Sequence, residues 1–124
     1  MKEFIPFLDI TINPDLFHIL RKWNLSGRQF NVFFAALTYL DDDNFVKASQ
    51  LEISKELNVH QASISAGFCE LKKMNFVFEL KIQGRFNAYC VSPHLVWKGT
   101  EINHKKALKK YAKIKYIEKR GEKK

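Results

Sequence analysis

The run His60-Gln61-Ala62-Ser63-Ile64-Ser65-Ala66 sets an imidazole, a carboxamide and two hydroxyls among small side chains within two helical turns. The chemistry open to such a set is short-range hydrogen bonding. A Gln carboxamide pairs bidentately with an adenine edge, and small neighbours let a helix backbone approach base edges in a groove about 12 Å wide. A second group surrounds Gly84, where Lys81, Gln83, Arg85 and Asn87 are brought together by a tight turn. An arginine at such a tip suits the narrow, negative minor groove of a duplex. Cations recur at Arg21, Lys22 and Arg28, at Lys72 and Lys73, and densely at Lys105, Lys106, Lys109, Lys110, Lys113, Lys115 and Lys119. Lys72 and Lys73 also suit the negative end of a helix, and His60 suits either a phosphate contact or a cap at its turn.

Bond-making chemistry finds no comparable cluster. His18, His60, His94 and His104 are scattered singly, and Cys69 and Cys90 stand in no metal-ligand spacing. Two isolated cysteines in apolar surroundings read as buried thiols of a cytosolic protein, not as a disulfide or a metal site. A metal-dependent DNA-nicking enzyme needs a His-x-His pair near a nucleophilic tyrosine, and Tyr39, Tyr89, Tyr111 and Tyr116 lack such company. Asp41-Asp42-Asp43 reads as a solvated loop at a helix end. Without a Gly-rich phosphate loop, any ATP-driven step falls to another protein. Neither an enzyme nor a cofactor is expected.

The chain has 124 residues and a formal net charge of +8, with 46% hydrophobic residues and 11 Phe. That is enough for one domain with a real core. No apolar run is long enough to span a membrane, and MKEFIPFLDITINPD does not read as a signal peptide. Residues 1–99 hold 11 Lys/Arg against 10 Asp/Glu, whereas residues 100–124 hold 10 against 3. The excess charge that points to a polyanionic partner is therefore concentrated in the tail. The division expected is a domain over 1–99 with an N-terminal arm, followed by a basic C-terminal helix and tail over 100–124.

The elements that must position these groups follow from periodicity and caps. Residues 4–12 alternate weakly, as an irregular strand or arm. Asn13-Pro14 starts a short helix carrying Leu16, Phe17, Ile19, Leu20 and Trp23. Ser26 and Gln29 form a capping box for a helix apolar on most sides, with Phe30, Phe33, Phe34 and Leu37 expected in the core. Phe45-Val46 suggests a very short strand. Ser49 and Glu52 cap the next helix, and Asn58-Val59-His60 makes a tight turn into another, which Asn75 ends. Leu51, Ile53, Leu57, Val59, Ile64, Phe68 and Leu71 are expected to share one core. Residues 76–83 and 86–92 form a hairpin about Gly84-Arg85. Leu95 to Gly99 closes the domain with Trp97 as an anchor, and Leu108, Tyr111, Ile114 and Ile117 give a stripe suited to a partner subunit. The fold class is mainly α with a small β-hairpin, a winged helix-turn-helix.

The stretch LEISKELNVHQASISAGFCELKKMNFV resembles the winged helix-turn-helix of MarR-type bacterial regulators. AYCVSPHLVWKGTEINHKKAL resembles the strand-to-tail junction of RepL-type plasmid replication proteins, with Trp97-Lys98-Gly99 as its closure. Together these resemblances span roughly residues 28–108 and imply a sequence-specific protein of plasmid replication initiation or maintenance. The first two turns of the recognition helix hold no Lys or Arg, so base contact rests on Gln61, Ser63 and Ser65. Double-stranded DNA is the partner expected, bound by a homodimer, because one short recognition helix reads few base pairs. Host replication proteins are further candidate partners. A transcriptional or copy-number regulator uses the same reading head, and the nearly neutral globular part keeps a protein-binding winged-helix module open.

Overall fold

The computed structural model describes residues 10–81 and 87–116. Among them the chain runs β1 (Ile10–Ile12), α1 (Asp15–Trp23), α2 (Gly27–Thr38), α3 (Gln50–Leu57), α4 (Gln61–Lys73), β2 (Val77–Lys81), β3 (Asn87–Val91), β4 (Val96–Lys98) and α5 (Glu101–Lys110). It is mainly α with a small β part, an α+β arrangement consistent with a winged helix. The hairpin tip with Arg85, most of the N-terminal arm and the tail from Ile117 lie outside the described residues.

Local chemistry sets the helix ends. Ser26 with Gln29, and Ser49 with Glu52, form complete capping boxes at α2 and α3, each cap worth about 1 kcal/mol. The Asn13 side chain accepts from the Asp15 backbone N–H at 2.9 Å, while Pro14 already has helical dihedrals just ahead of α1. The four non-glycine residues at positive φ among the described residues are all asparagines: Asn24, Asn44, Asn58 and Asn75. Asparagine tolerates this left-handed conformation better than other side chains with a Cβ, so Asn24, Asn58 and Asn75 turn the chain out of α1, α3 and α4.

The core lies between α2, α3, α4 and the hairpin, with Phe33, Ile53, Ile64, Phe68, Leu71 and Phe76 fully buried. Helical phase, not hydrophobicity alone, decides who enters it. On α3 the inward stripe is Ile53, Ser54 and Leu57, and Ser54 is tolerated because its hydroxyl donates to the Leu51 carbonyl at 2.7 Å. Leu51 and Val59, expected in the shared core, are instead exposed. Phe34 points about 160° around α2 from the centre of its buried face and is also exposed, as is Phe17 on α1. The aromatic stripe of α2 is thus core only in part.

Strands β2 and β3 pair antiparallel from Val77↔Val91 to Lys81↔Asn87. The Phe45-Val46 segment joins β3 through the isolated bridge Phe45↔Cys90 and pairs back on Leu40 through Leu40↔Val46. A second pairing was not anticipated: Ile10, Thr11 and Ile12 lie antiparallel to Lys98, Trp97 and Val96, so the apolar closure is a strand, β4. Asn44, next to the acidic run read as a solvated loop, is held inside the fold. It is fully buried, its side-chain amide donates to the carbonyls of Val91 (3.0 Å) and Val96 (2.8 Å), and its Oδ1 accepts from the Lys98 N–H at 2.8 Å. This side chain clasps β3 to β4. Gly99 (φ 126°) passes so close to the same loop that a Cβ there would lie 2.3 Å from the Asp42 carbonyl oxygen.

The basic helix is shorter than the periodicity suggests. Helix α5 ends at Lys110, and the chain then folds back onto its own domain. Tyr111 packs on Phe78 with ring centroids 4.9 Å apart, and Tyr116 is buried. The stripe expected to meet a partner subunit is therefore occupied within the chain at Tyr111. His104 stacks on Trp97 at 5.1 Å, while Trp97 Nε1 donates to the Thr100 carbonyl. The Nε2 atoms of His94 and His104 bond to the carbonyls of Tyr111 (3.0 Å) and Pro93 (2.9 Å). A carbonyl only accepts, so both rings carry a proton on Nε2.

Candidate nucleic-acid interface

Helix α4 is held from three sides, which fixes the face it leaves outward. Towards α2, Gly67 meets Val32 so closely that a Cβ on Gly67 would lie 2.6 Å from Val32 Cγ2. The sequence reading passed over Gly67; a glycine inside an otherwise regular helix is the signal that marks such an approach. Towards the hairpin, Phe68 stacks on Tyr89 with centroids 4.4 Å apart. Burial pushes the Tyr89 phenol above its ordinary pKa. Near the C-terminal end of α4, Glu70 accepts from Arg28 at 3.1 Å and from Gln29 at 3.2 Å, and Lys72 pairs with Glu79 of β2 at 2.6 Å. Glu79 raises the Lys72 pKa through that hydrogen bond.

What remains exposed on α4 is Gln61, Ala62, Ser65, Cys69, Lys72 and Lys73, with Ser63 half-buried beside them. Gln61 and Ser65 stand one turn apart on the same face. His60 precedes them, exposed, and its side chain makes no cap hydrogen bond. Of its two sequence readings, the cap is not made. Arg28 and Lys72, expected to touch phosphates, each have a carboxylate of this chain as partner and so help to seat α4. Such exposed pairs are weak and can be exchanged for other anions.

The second cationic group sits elsewhere. Lys105, Lys106, Lys109 and Lys110 are all exposed on α5, which has no buried residue. Lys105 has a loose pairing with Glu101 at 3.8 Å. Lys106 and Lys110 border a cleft of about 430 Å³ whose walls include Phe45, Leu80 and Trp97. The hairpin separates this group from α4. Glu79 and Tyr89, a register pair, meet α4, whereas Phe78, paired with Cys90, meets Tyr111. Adjacent strand residues point to opposite faces, so α4 and the segment following α5 lie against opposite faces of one hairpin. The structure brings His60, Gln61, Ser63 and Ser65 together and leaves the α5 lysines as a separate surface. Lys81 closes the β2 register, and Arg85 falls outside the described residues.

Among the described residues no three His, Cys, Asp or Glu side chains are grouped as metal ligands, and no helix is long and apolar enough to cross a membrane. Of the two cysteines expected to be buried, Cys90 is, whereas Cys69 lies exposed on the outer face of α4; burial pushes the Cys90 thiol up to about 12, which keeps it protonated and unreactive. Tyr39 donates to Glu56, and that bond raises the phenol's pKa.

No curated protein and no solved structure matches the chain. Its sequence does match the family described as Firmicute plasmid replication protein (RepL) over residues 13–124, a span that takes in all five helices and strands β2 to β4. The chain belongs to the Firmicute plasmid replication protein (RepL) family.

Proposed function

We propose that this protein binds double-stranded DNA sequence-specifically, as a homodimer, in the initiation or maintenance of plasmid replication, and that it is not itself an enzyme. One observation carries the reading. Helix α4 is locked by Gly67, Phe68, Glu70 and Lys72, yet it presents Gln61, Ser63 and Ser65 beside an exposed His60. A helix held rigidly, with short polar side chains outward, is what major-groove readout requires. Gln61 supplies an adenine-type contact, Ser63 and Ser65 bond to base or phosphate, and Arg85 enters the minor groove from the hairpin tip. The α5 lysines supply sequence-independent attraction to phosphates. Membership of the RepL family supports a role in plasmid replication; on this reading the protein acts in the cytoplasm and leaves strand opening to host proteins.

Selection of bound duplexes from a random pool tests this directly. The expected result is one enriched motif whose binding weakens as salt rises. A flat salt response and no enriched motif would instead favour a protein-binding role. A motif found only at promoters, and not at a plasmid origin, would favour a transcriptional or copy-number regulator.

A further inference from the structure

Two large apolar side chains stand on the side of α2 turned away from α4. Phe17 of α1 is 61% exposed and Phe34 of α2 is 49% exposed. With Leu20, Leu25 and Phe30 they line a cleft of about 590 Å³ between the two helices. Phe34 stacks on Phe30 with centroids 5.8 Å apart, which holds its ring at the cleft. The fold does not need Phe17 in this position, because Leu16, Ile19 and Leu20 already fill the inner face of α1. An exposed aromatic patch of this kind marks an association surface.

Charge decides which partner fits. Among the described residues, Arg21 is the one charged residue lining the cleft, in a chain of formal charge +8. Two copies meeting along α5 would set lysine against lysine; two copies meeting here set aromatic against aromatic. The patch also holds both halves of a two-fold contact, projecting rings and a cleft to receive them, as an isologous interface demands. The exposed parts of two Phe rings amount to roughly 200 Å² per copy, against about 800 Å² per partner in a standard interface. They therefore form an apolar centre, with Asn31 and Thr38, exposed on the same side of α2, at its rim.

We propose that the α1/α2 face is where two copies of this chain associate, with Phe17 and Phe34 of each packing against the other's cleft. The need for two copies rests on the DNA-binding reading; the choice of face does not. Sedimentation equilibrium of the full chain, up to about 100 µM, compares wild type with Phe17→Ser and with the Phe17→Ser/Phe34→Ser double variant. The wild type is expected to dimerise, Phe17→Ser to weaken association at least about tenfold, and the double variant to remain monomeric. At a concentration where both proteins are monomeric, Phe17→Ser should leave the thermal unfolding curve in place, so its result stands even if the double variant is poorly folded. A wild type that stays monomeric overturns the proposal. So does a dimer that Phe17→Ser leaves intact, or one lost on deleting residues 1–9 but not on Phe17→Ser. A monomer that still prefers one DNA sequence overturns the face and spares the DNA-binding reading. A dimer that Phe17→Ser dissociates, with no DNA binding in either form, does the reverse.

Discussion

Helices α4 and α5 flank the hairpin and are built on opposite principles. Helix α4 buries Ile64, Gly67, Phe68 and Leu71 and uses Glu70 and Lys72 to seat itself, so its outward face is small and polar. Helix α5 buries nothing, and residues 101–116 carry six lysines against one glutamate. A rigid helix suits a task that needs geometry, because a base-edge contact is lost when a donor moves by an ångström or so. An exposed run of lysines suits a task that needs only charge, since phosphate attraction depends little on geometry. On the proposed DNA-binding reading, the contrast assigns specificity and affinity to separate helices, which substitutions can take apart.

The largest expected effect comes from removing the charge. Changing Lys105, Lys106, Lys109 and Lys110 together to Gln should flatten the log-log salt slope by up to about 3.6 and weaken binding to every sequence by roughly a hundredfold or more. Fluorescence anisotropy across a salt series checks this, and an unchanged slope would break the comparison. Substitution is a better probe than truncation at residue 105, which would also remove Tyr111 from Phe78 and the buried Tyr116.

Next in size is the clasp between the two sides. Asn44→Ala removes three side-chain hydrogen bonds between the loop and β3 and β4, and should cost about 3 kcal/mol in urea unfolding. Gly67→Ala sharpens the comparison from the α4 side. The overlap with Val32 outweighs the gain in helix propensity, so a loss of about 1–2 kcal/mol is expected, while α5 is untouched. The remaining effect is alkaline. Cys90 is neutral in the folded protein to about pH 12 but ionises near 9 when unfolded. The unfolded chain then binds fewer protons, so stability falls between pH 9 and 12, by up to about 1.4 kcal/mol per unit. Urea midpoints at pH 9, 10 and 11 should decline less steeply in Cys90→Ala.

Much of this was legible where signals are local. The capping boxes at Ser26 and Ser49, the asparagines at 24, 58 and 75, and the stripe Ile64, Phe68, Leu71 each act within one or two helical turns. The failures share a physical cause in long-range geometry. Leu51 looked more core-like than Ser54, but helical phase turned Ser54 inward and a backbone hydrogen bond made it tolerable. The β1–β4 pairing joins two strands of three residues from opposite ends of the chain, too short to show a period. Asn44 looked like loop polarity until three distant backbone groups converged on it. For the candidate site, His60, Gln61, Ser63 and Ser65 were readable from type and spacing. The carboxylate partners of Arg28 and Lys72 were not, because Glu70 and Glu79 reach them only through tertiary packing.

The central claim is that α4 carries specificity and α5 carries affinity. The most direct test is the ratio of affinity for the selected motif to affinity for random duplex, measured at one salt concentration for Gln61→Ala and for the four-lysine variant. Gln61→Ala should lower that ratio by about 5- to 150-fold, or 1–3 kcal/mol, with little loss on random DNA. The four-lysine variant should weaken both affinities and leave the ratio unchanged. A ratio that falls in the lysine variant and holds in Gln61→Ala would contradict the account.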